Sequence, residues 1–302
     1  MKILVIACVV VSVFFAVFCL SGEEKQKKGS QKALASLNEL VAYIQDGEFE
    51  KFEALLKKYP DTMLNQTVQI DDDSDDDVKE TLIGLAVKQN RLDIVRSLLA
   101  NGMDVNSQDD RRWTALHHSV GEGHLEISKY LLEVNADPNV GDTEGSTALH
   151  FACWNGDAAH VKALLMAKAD PLKRRDGGDT PLHHACYMDR EKQALVVHVL
   201  LKLPVDPNLT NEAGETPLWI ASMMGHPNVI EKLCKAGADI NRSREDGKTP
   251  LIAATQAGEV ENLQLLLDQG ADPEFKDKEG RTALEWALKE ESTRCVAILR
   301  KR

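Results

Sequence analysis

The 302-residue chain is 43% hydrophobic and 28% charged, the balance of a globular protein, and its 5% aromatic content leaves most packing to Leu, Ala and Val. Its formal net charge is −12. No basic stripe of the kind that neutralises phosphates is present, so nucleic acid is excluded as an expected partner.

In chain order, the first segment is residues 1–22, with Lys2 followed by an uncharged apolar run from Ile3 to Leu20 and then small and charged residues. That is the order of a secretory signal peptide, with cleavage expected near Ser21 or Gly22. The run is also just long enough to span a bilayer, so a retained signal anchor over residues 3–20 is the rival reading. Lys25, Lys27 and Lys28 follow the run. An anchor would therefore keep the following body on the cytoplasmic side. The expected location is the secretory pathway, secreted or periplasmic after cleavage, or else membrane-anchored. Residues 23–36 read as a linker.

Residues 37–70 carry a paired-helix pattern, "LNELVAYIQDGEFEKFEALLKKYP", and read as a degenerate N-terminal cap. Residues 71–80, "DDDSDDDVKE", hold seven acids and one lysine, half the net charge of the chain. The stretch lacks the glycine and closing glutamate of a calcium loop, so it reads as a solvated loop.

From Thr81 onward the chain repeats. "TLIGLA", "TALHHS", "TALHFA", "TPLHHA", "TPLWIA", "TPLIAA" and "TALEWA" begin at Thr81, Thr114, Thr147, Thr180, Thr216, Thr249 and Thr282, spaced by 33, 33, 33, 36, 33 and 33 residues. A second series, from "RSLLANGMDVN" to "QLLLDQGADPE", keeps step. Each threonine is suited to accept an orphan backbone N–H at a helix start, and proline is suited to the next position. Glycines, as in "GEGH" and "MMGH", break the first helix, and a second helix carries the leucine pair. One such unit cannot bury its apolar face alone; stacked neighbours bury it jointly.

These motifs resemble the ankyrin repeat family over residues 76–301. The resemblance implies an all-α solenoid of stacked helix-turn-helix units with short β-hairpin turns over residues 81–302. It also implies a monomeric, noncatalytic scaffold that binds a protein partner and needs no cofactor or metal. The alternative within that class is a regulatory or protective subunit docking onto an enzyme in the periplasm or secretory lumen. The departures are three extra residues within "YMDREKQALVV", Arg112 at a turn position where the family has glycine, and Gly84 where it has histidine. Arg112 is expected to stiffen or reshape its turn.

In the family, the end of each first helix faces a concave groove where partners are held. Seven and eight residues after each threonine, the middle repeats place Trp154 and Asn155, Tyr187 and Met188, and Met223 and Met224. Arg111, Arg112 and Trp113 form one turn tip. Aromatics, Met and Arg are the residues that interface cores enrich, so these nine are the candidate partner contacts. Trp219 and Trp286 fall three and four residues after their threonines and are assigned to packing.

Signals that mimic chemistry dissolve in the periodicity. His117, His150 and His183 share one repeat position, which spaces them by ~10 Å, far beyond the ~2 Å of shared metal coordination. They are expected to hydrogen-bond between adjacent turns. Cys153 and Cys186 also share a repeat position, too far apart for a disulfide. Four free, mostly buried thiols are expected, which is unusual in an oxidising compartment. Asn65, Asn208 and Asn241 open glycosylation triplets, and the last two occupy the repeat's own asparagine position. No nucleophile–base pair or phosphate loop stands outside the repeat pattern, so no enzyme is expected. The leader has its own test: purified native protein should lack residues 1–22 by intact mass, whereas a soluble protein retaining Met1 or Lys2 would refute export.

Overall fold

The computed structural model describes residues 37–58, 64–65, 67–69, 79–188 and 192–301. The leader, the linker and the acidic stretch Asp71–Asp77 lie outside the described residues. The chain divides into two compact units between Thr143 and Glu144.

Counting the cap as the first repeat, the seven threonines open repeats two to eight. The first helices are Leu82–Lys88, Ala115–Gly121, Ala148–Trp154, Pro181–His184, Pro217–Met224, Pro250–Gln256 and Ala283–Lys289. The second helices are Leu92–Ala100, Leu125–Glu133, Ala158–Met166, Gln193–Leu200, Pro227–Lys235, Val260–Asp268 and Thr293–Leu299. The cap is helical over residues 37–46 and Phe49–Leu56, and buries Leu37, Leu40, Val41, Ile44, Phe52 and Leu56. Strands Thr67–Gln69 and Lys79–Thr81 pair antiparallel, with Val68 opposite Glu80. They flank the acidic stretch in sequence. Glu80 is buried and ion-paired with Lys88.

Each threonine sits in extended backbone at the N-cap, as its hydroxyl requires. In repeats three to five a histidine completes the cap. The Thr114, Thr147 and Thr180 amides donate to Nδ1 of His117, His150 and His183 at 3.1, 3.1 and 3.2 Å. Nδ1 is therefore the acceptor and Nε2 carries the proton. The Nε2–H of His150 donates to the Asp179 carbonyl at 3.3 Å, and that of His183 to the Glu215 carbonyl at 3.2 Å. One ring thus caps its own helix and joins the next repeat, the bonding expected from the histidine column. Glu285 takes over the capping half in repeat eight, accepting the Thr282 amide at 2.7 Å.

The core follows the repeat. Leu116, Leu149, Leu182, Leu218 and Leu251 are all buried at the same place in their first helices. The second helices bury Val161 and Leu164, Val197 and Leu200, and Ile230 and Leu233. Leu288 is exposed where Cys153, Cys186, Ser222 and Thr255 are buried, because among the described residues nothing stacks on repeat eight.

The turn at Arg112 keeps its shape. Its amide donates to the Asp109 carbonyl at 2.9 Å, as the glycine amides of other tips do in theirs, such as Gly178 to Arg175 at 2.9 Å. The backbone reaches this through φ 58° at Arg112, a left-handed value that costs a non-glycine residue ~1–2 kcal/mol. The expected reshaping is absent; the departure is absorbed as strain.

The extra residues of repeat five shorten its first helix to Pro181–His184, and the second helix resumes at Gln193. Gln193 is buried and donates to the Trp154 carbonyl at 2.9 Å. Gly156 allows this approach, since a Cβ there would come 2.9 Å from Oε1 of Gln193.

A second inter-repeat bond runs through asparagine. Oδ1 of Asn65, Asn106, Asn208 and Asn241 accepts the amide of Asp104, Asp137, Asp239 and Asp272 at 2.7–2.9 Å. Asn65 therefore has the same structural role as the asparagines of the later triplets. In repeat four the position holds Leu172, 45% exposed, and among the described residues no side chain accepts from the Asp206 amide. Restoring the bond should help: Leu172→Asn is expected to stabilise the fold by ~1 kcal/mol, the net worth of one hydrogen bond, read as a higher urea midpoint at unchanged slope.

Candidate partner-binding face

The second unit carries an aromatic cluster built across repeats four and five. Trp154 ends the first helix of repeat four, and its ring is 38% exposed. Behind it lie the rings of His184, 5.7 Å away, and Tyr187, 6.2 Å away. His184 meets His150 edge-on at 5.1 Å and Tyr187 edge-on at 6.2 Å. Trp154 is thus held by two tilted ring contacts and is still 38% exposed. Tyr187 and Met188 follow the shortened helix of repeat five and are half-buried, as are Asn155, Met223 and Met224.

A polar chain fixes the cluster from below. The Tyr187 hydroxyl donates to Asp179 at 3.4 Å, and Asn211 donates to Asp179 at 2.9 Å and to Glu215 at 3.0 Å. Arg244 donates to Glu215 at 2.9 Å. Burial raises the Tyr187 phenol, with Asp179 adding to the effect, so the hydroxyl keeps its proton. Arg175 donates to Nε2 of His184 at 3.4 Å and pairs with Glu144. Burial, and then Arg175, push His184 down to about 4. Burial, and then His184, push His150 down to about 3. Both rings are neutral at physiological pH.

The first unit carries its own aromatic tip. Trp113 is half-buried, with its ring 5.2 Å from that of His118 and 6.2 Å from that of His117. Gly121, seven residues after Thr114, lies beside it; a Cβ there would meet the indole at 3.6 Å, an ordinary contact. The ring that Trp154 supplies from its helix end is supplied here from the turn. Arg111 and Arg112 beside it are exposed. His118 meets the buried Asp109 carboxylate at 3.0 Å, and the same carboxylate accepts the Trp113 amide at 2.7 Å.

Trp219 and Trp286 are each 4% exposed and belong to the packing. Cys153, Cys186 and Cys295 are buried, Cys234 is half-buried, and all four are free thiols. Burial raises the first two thiols, which makes them poor nucleophiles.

Residue types alone left His184 and Arg175 unmarked. Their signal is positional: four residues after Thr114 and five before it stand His118 and Asp109, whereas around Thr180 stand His184 and Arg175. The second missed signal is clustering. Of the five exposed large hydrophobics among the described residues, Trp154, Met166, Leu172 and Leu195 fall in repeats four and five.

A family model described as ankyrin repeats (3 copies) matches residues 38–142, 83–175, 149–244, 192–277 and 242–302. The chain belongs to the ankyrin-repeat family. It is similar to the ankyrin repeat domain of human ASB11, at 29% identity over 72% of this chain and 96% of that one, with a TM-score of 0.64. It is also similar to the ankyrin repeat domain of Bcl-3, described as a unique member of the IkappaB protein family, at 27% identity over 72% and 97%, with a TM-score of 0.62. No curated protein matches the chain. Ankyrin repeats are general protein-interaction modules and are typically noncatalytic.

The buried imidazoles give these repeats a defined response to pH. Their folded pKa values lie below the ordinary value of 6.5, so below pH 6.5 the unfolded chain binds protons that the folded chain refuses. Stability is therefore full above pH 6.5 and falls as pH drops toward 4. Each imidazole contributes up to ~1.4 kcal/mol per pH unit in that window. Urea midpoints at pH 7, 6 and 5 should decline in step, and His184→Phe should flatten the slope.

Proposed function

We propose that this ankyrin-repeat chain is a noncatalytic scaffold that holds a protein partner against the first-helix ends of repeats four to six. The observation that carries this reading is Trp154, a large residue left 38% exposed while the rings of His184 and Tyr187 hold it in place. A rigid, half-exposed aromatic loses little entropy on binding and brings a large apolar area, which is the character of an interface hot spot. Tyr187, Asn155, Met188, Met223 and Met224 extend the face within the same unit; methionine adds adaptable contact area. Arg111, Arg112 and Trp113 form a separate contact surface on the first unit. The apolar run from Ile3 to Leu20 supports a location in the secretory pathway, with the scaffold either released after cleavage near residue 22 or held to a membrane by residues 3–20.

The test is affinity capture from the native compartment followed by titration of the captured protein. Trp154→Ala and Tyr187→Ala should each weaken binding at least about tenfold, a loss of ~1.4 kcal/mol or more. The same substitution removes two ring contacts, each worth ~0.5–1.5 kcal/mol beyond the area buried, so stability is measured beside affinity. Trp286→Ala supplies the contrast: removing a buried indole should cost ~3–5 kcal/mol of stability. Unchanged affinity together with a large stability loss in Trp154→Ala would make that ring a packing residue.

A further inference from the structure

The helix-end and turn positions change character along the second unit. Immediately before, and seven residues after, the threonines of repeats four, five and six stand Ser146 and Trp154, Asp179 and Tyr187, and Glu215 and Met223. In repeats seven and eight the same positions hold Lys248 and Gln256, and Arg281 and Lys289. Three of these four are cations, and all three gather on one ring. The Arg281 guanidinium lies 4.0 Å from the centre of Trp286, the Lys289 ammonium 4.2 Å, and the Lys248 ammonium 4.8 Å.

The ring itself is fixed. Trp286 is buried, and its Nε1–H donates to Oδ2 of Asp277 at 2.7 Å. The other oxygen of Asp277 is occupied by the amides of Glu279 and Arg281, both at 2.9 Å. Asp277 therefore holds the indole and its own turn, and lies only 3.6 Å from Nε of Arg281. Arg281 also pairs with the exposed Glu279, and Lys248 lies 3.5 Å from Asp246. Lys289 is exposed and has no ion-pair partner among the described residues. Attraction to the face of the indole assembles three cations; carboxylates flank Arg281 and Lys248, whereas Lys289 is left without one among the described residues. An arriving carboxylate can pair with Lys289 while Lys248 and Arg281 add the field of two further cations beside it.

We propose that Lys248, Arg281 and Lys289 anchor the Asp or Glu side chains of an acidic segment of the protein partner. The proposal rests on the reading that the first-helix ends hold a protein, and it adds the partner's chemistry: an apolar portion at Trp154 and an acidic portion at repeats seven and eight. The whole chain carries a net charge of −12 and repels polyanions, so such a segment is held by local charge against the net field.

A fluorescein-labelled hexaglutamate peptide tests this by anisotropy against the full chain at low ionic strength. Saturable binding is expected, weakening steeply with salt, while a hexaglutamine peptide of the same length does not bind. The double substitution Lys248→Glu and Lys289→Glu should weaken the hexaglutamate complex at least about tenfold, and Trp154→Ala should leave it unchanged. If the double variant loses its native circular dichroism, Lys289→Ala alone, at an exposed position, should still weaken binding measurably. Binding that is absent in the wild type, or equal in wild type and variants, overturns the proposal. So does inorganic phosphate that displaces the peptide at concentrations where acetate does not, since that marks a phosphate site. A negative result here leaves the Trp154 titration with the native partner untouched, so the two readings fail separately.

Discussion

Stacking in repeats four and five depends on a neutral imidazole placed between two repeats. Nδ1 accepts the N-cap threonine amide, and this forces the proton onto Nε2, which then donates to a carbonyl of the following repeat. Local helix capping and long-range stacking are therefore a single event in the middle of the chain. A protonated ring could not accept at Nδ1, and burial keeps the rings neutral. Where the histidine is replaced the coupling changes. Gly84 frees space beside His118, Trp219 brings an indole under Arg244 at 4.7 Å, and Glu285 shares the capping of its own helix with Thr282.

The departures from periodicity gather where the surface is chemically distinctive. Repeats four and five lose the asparagine bond at Leu172, and repeat five loses half of its first helix. They also carry four of the exposed large hydrophobics. A regular repeat has all its side chains committed to its neighbours. A repeat that surrenders a few of those commitments gains side chains that can face a partner, and Gln193 shows the compensation, bonding Trp154 where the helix is missing. At the other end of the same unit, Trp286 is buried, and three cations from helix-end and turn positions bring their charged groups onto its ring.

Periodicity made most of the fold legible in the amino-acid order. Seven threonines at near-constant spacing specify where helices begin, and a shared position specifies which leucines are buried and why Cys153 and Cys186 remain free thiols. These follow from local chemistry repeated, because every repeat presents the same environment to the same position. Trp219 and Trp286 were legible as packing residues for that reason. The threonine N-caps were legible too, since a cap involves only residues within one helical turn.

Tertiary structure decided what lies across repeats, where residues some thirty apart meet. It showed that Arg112 keeps its turn at the expense of a left-handed backbone, and that Trp113 packs its ring beside that of His118. It placed His184 behind Trp154 and set Arg175 against His184, a pairing invisible while the two belonged to different motifs. It also gathered Lys248, Arg281 and Lys289 on one indole. The sequence by itself determined the repeat, its helices and its core, because these depend on residue type at a recurring position. Which side chains remain free for a partner was decided only by stacking, because exposure is set by what the neighbouring repeat covers.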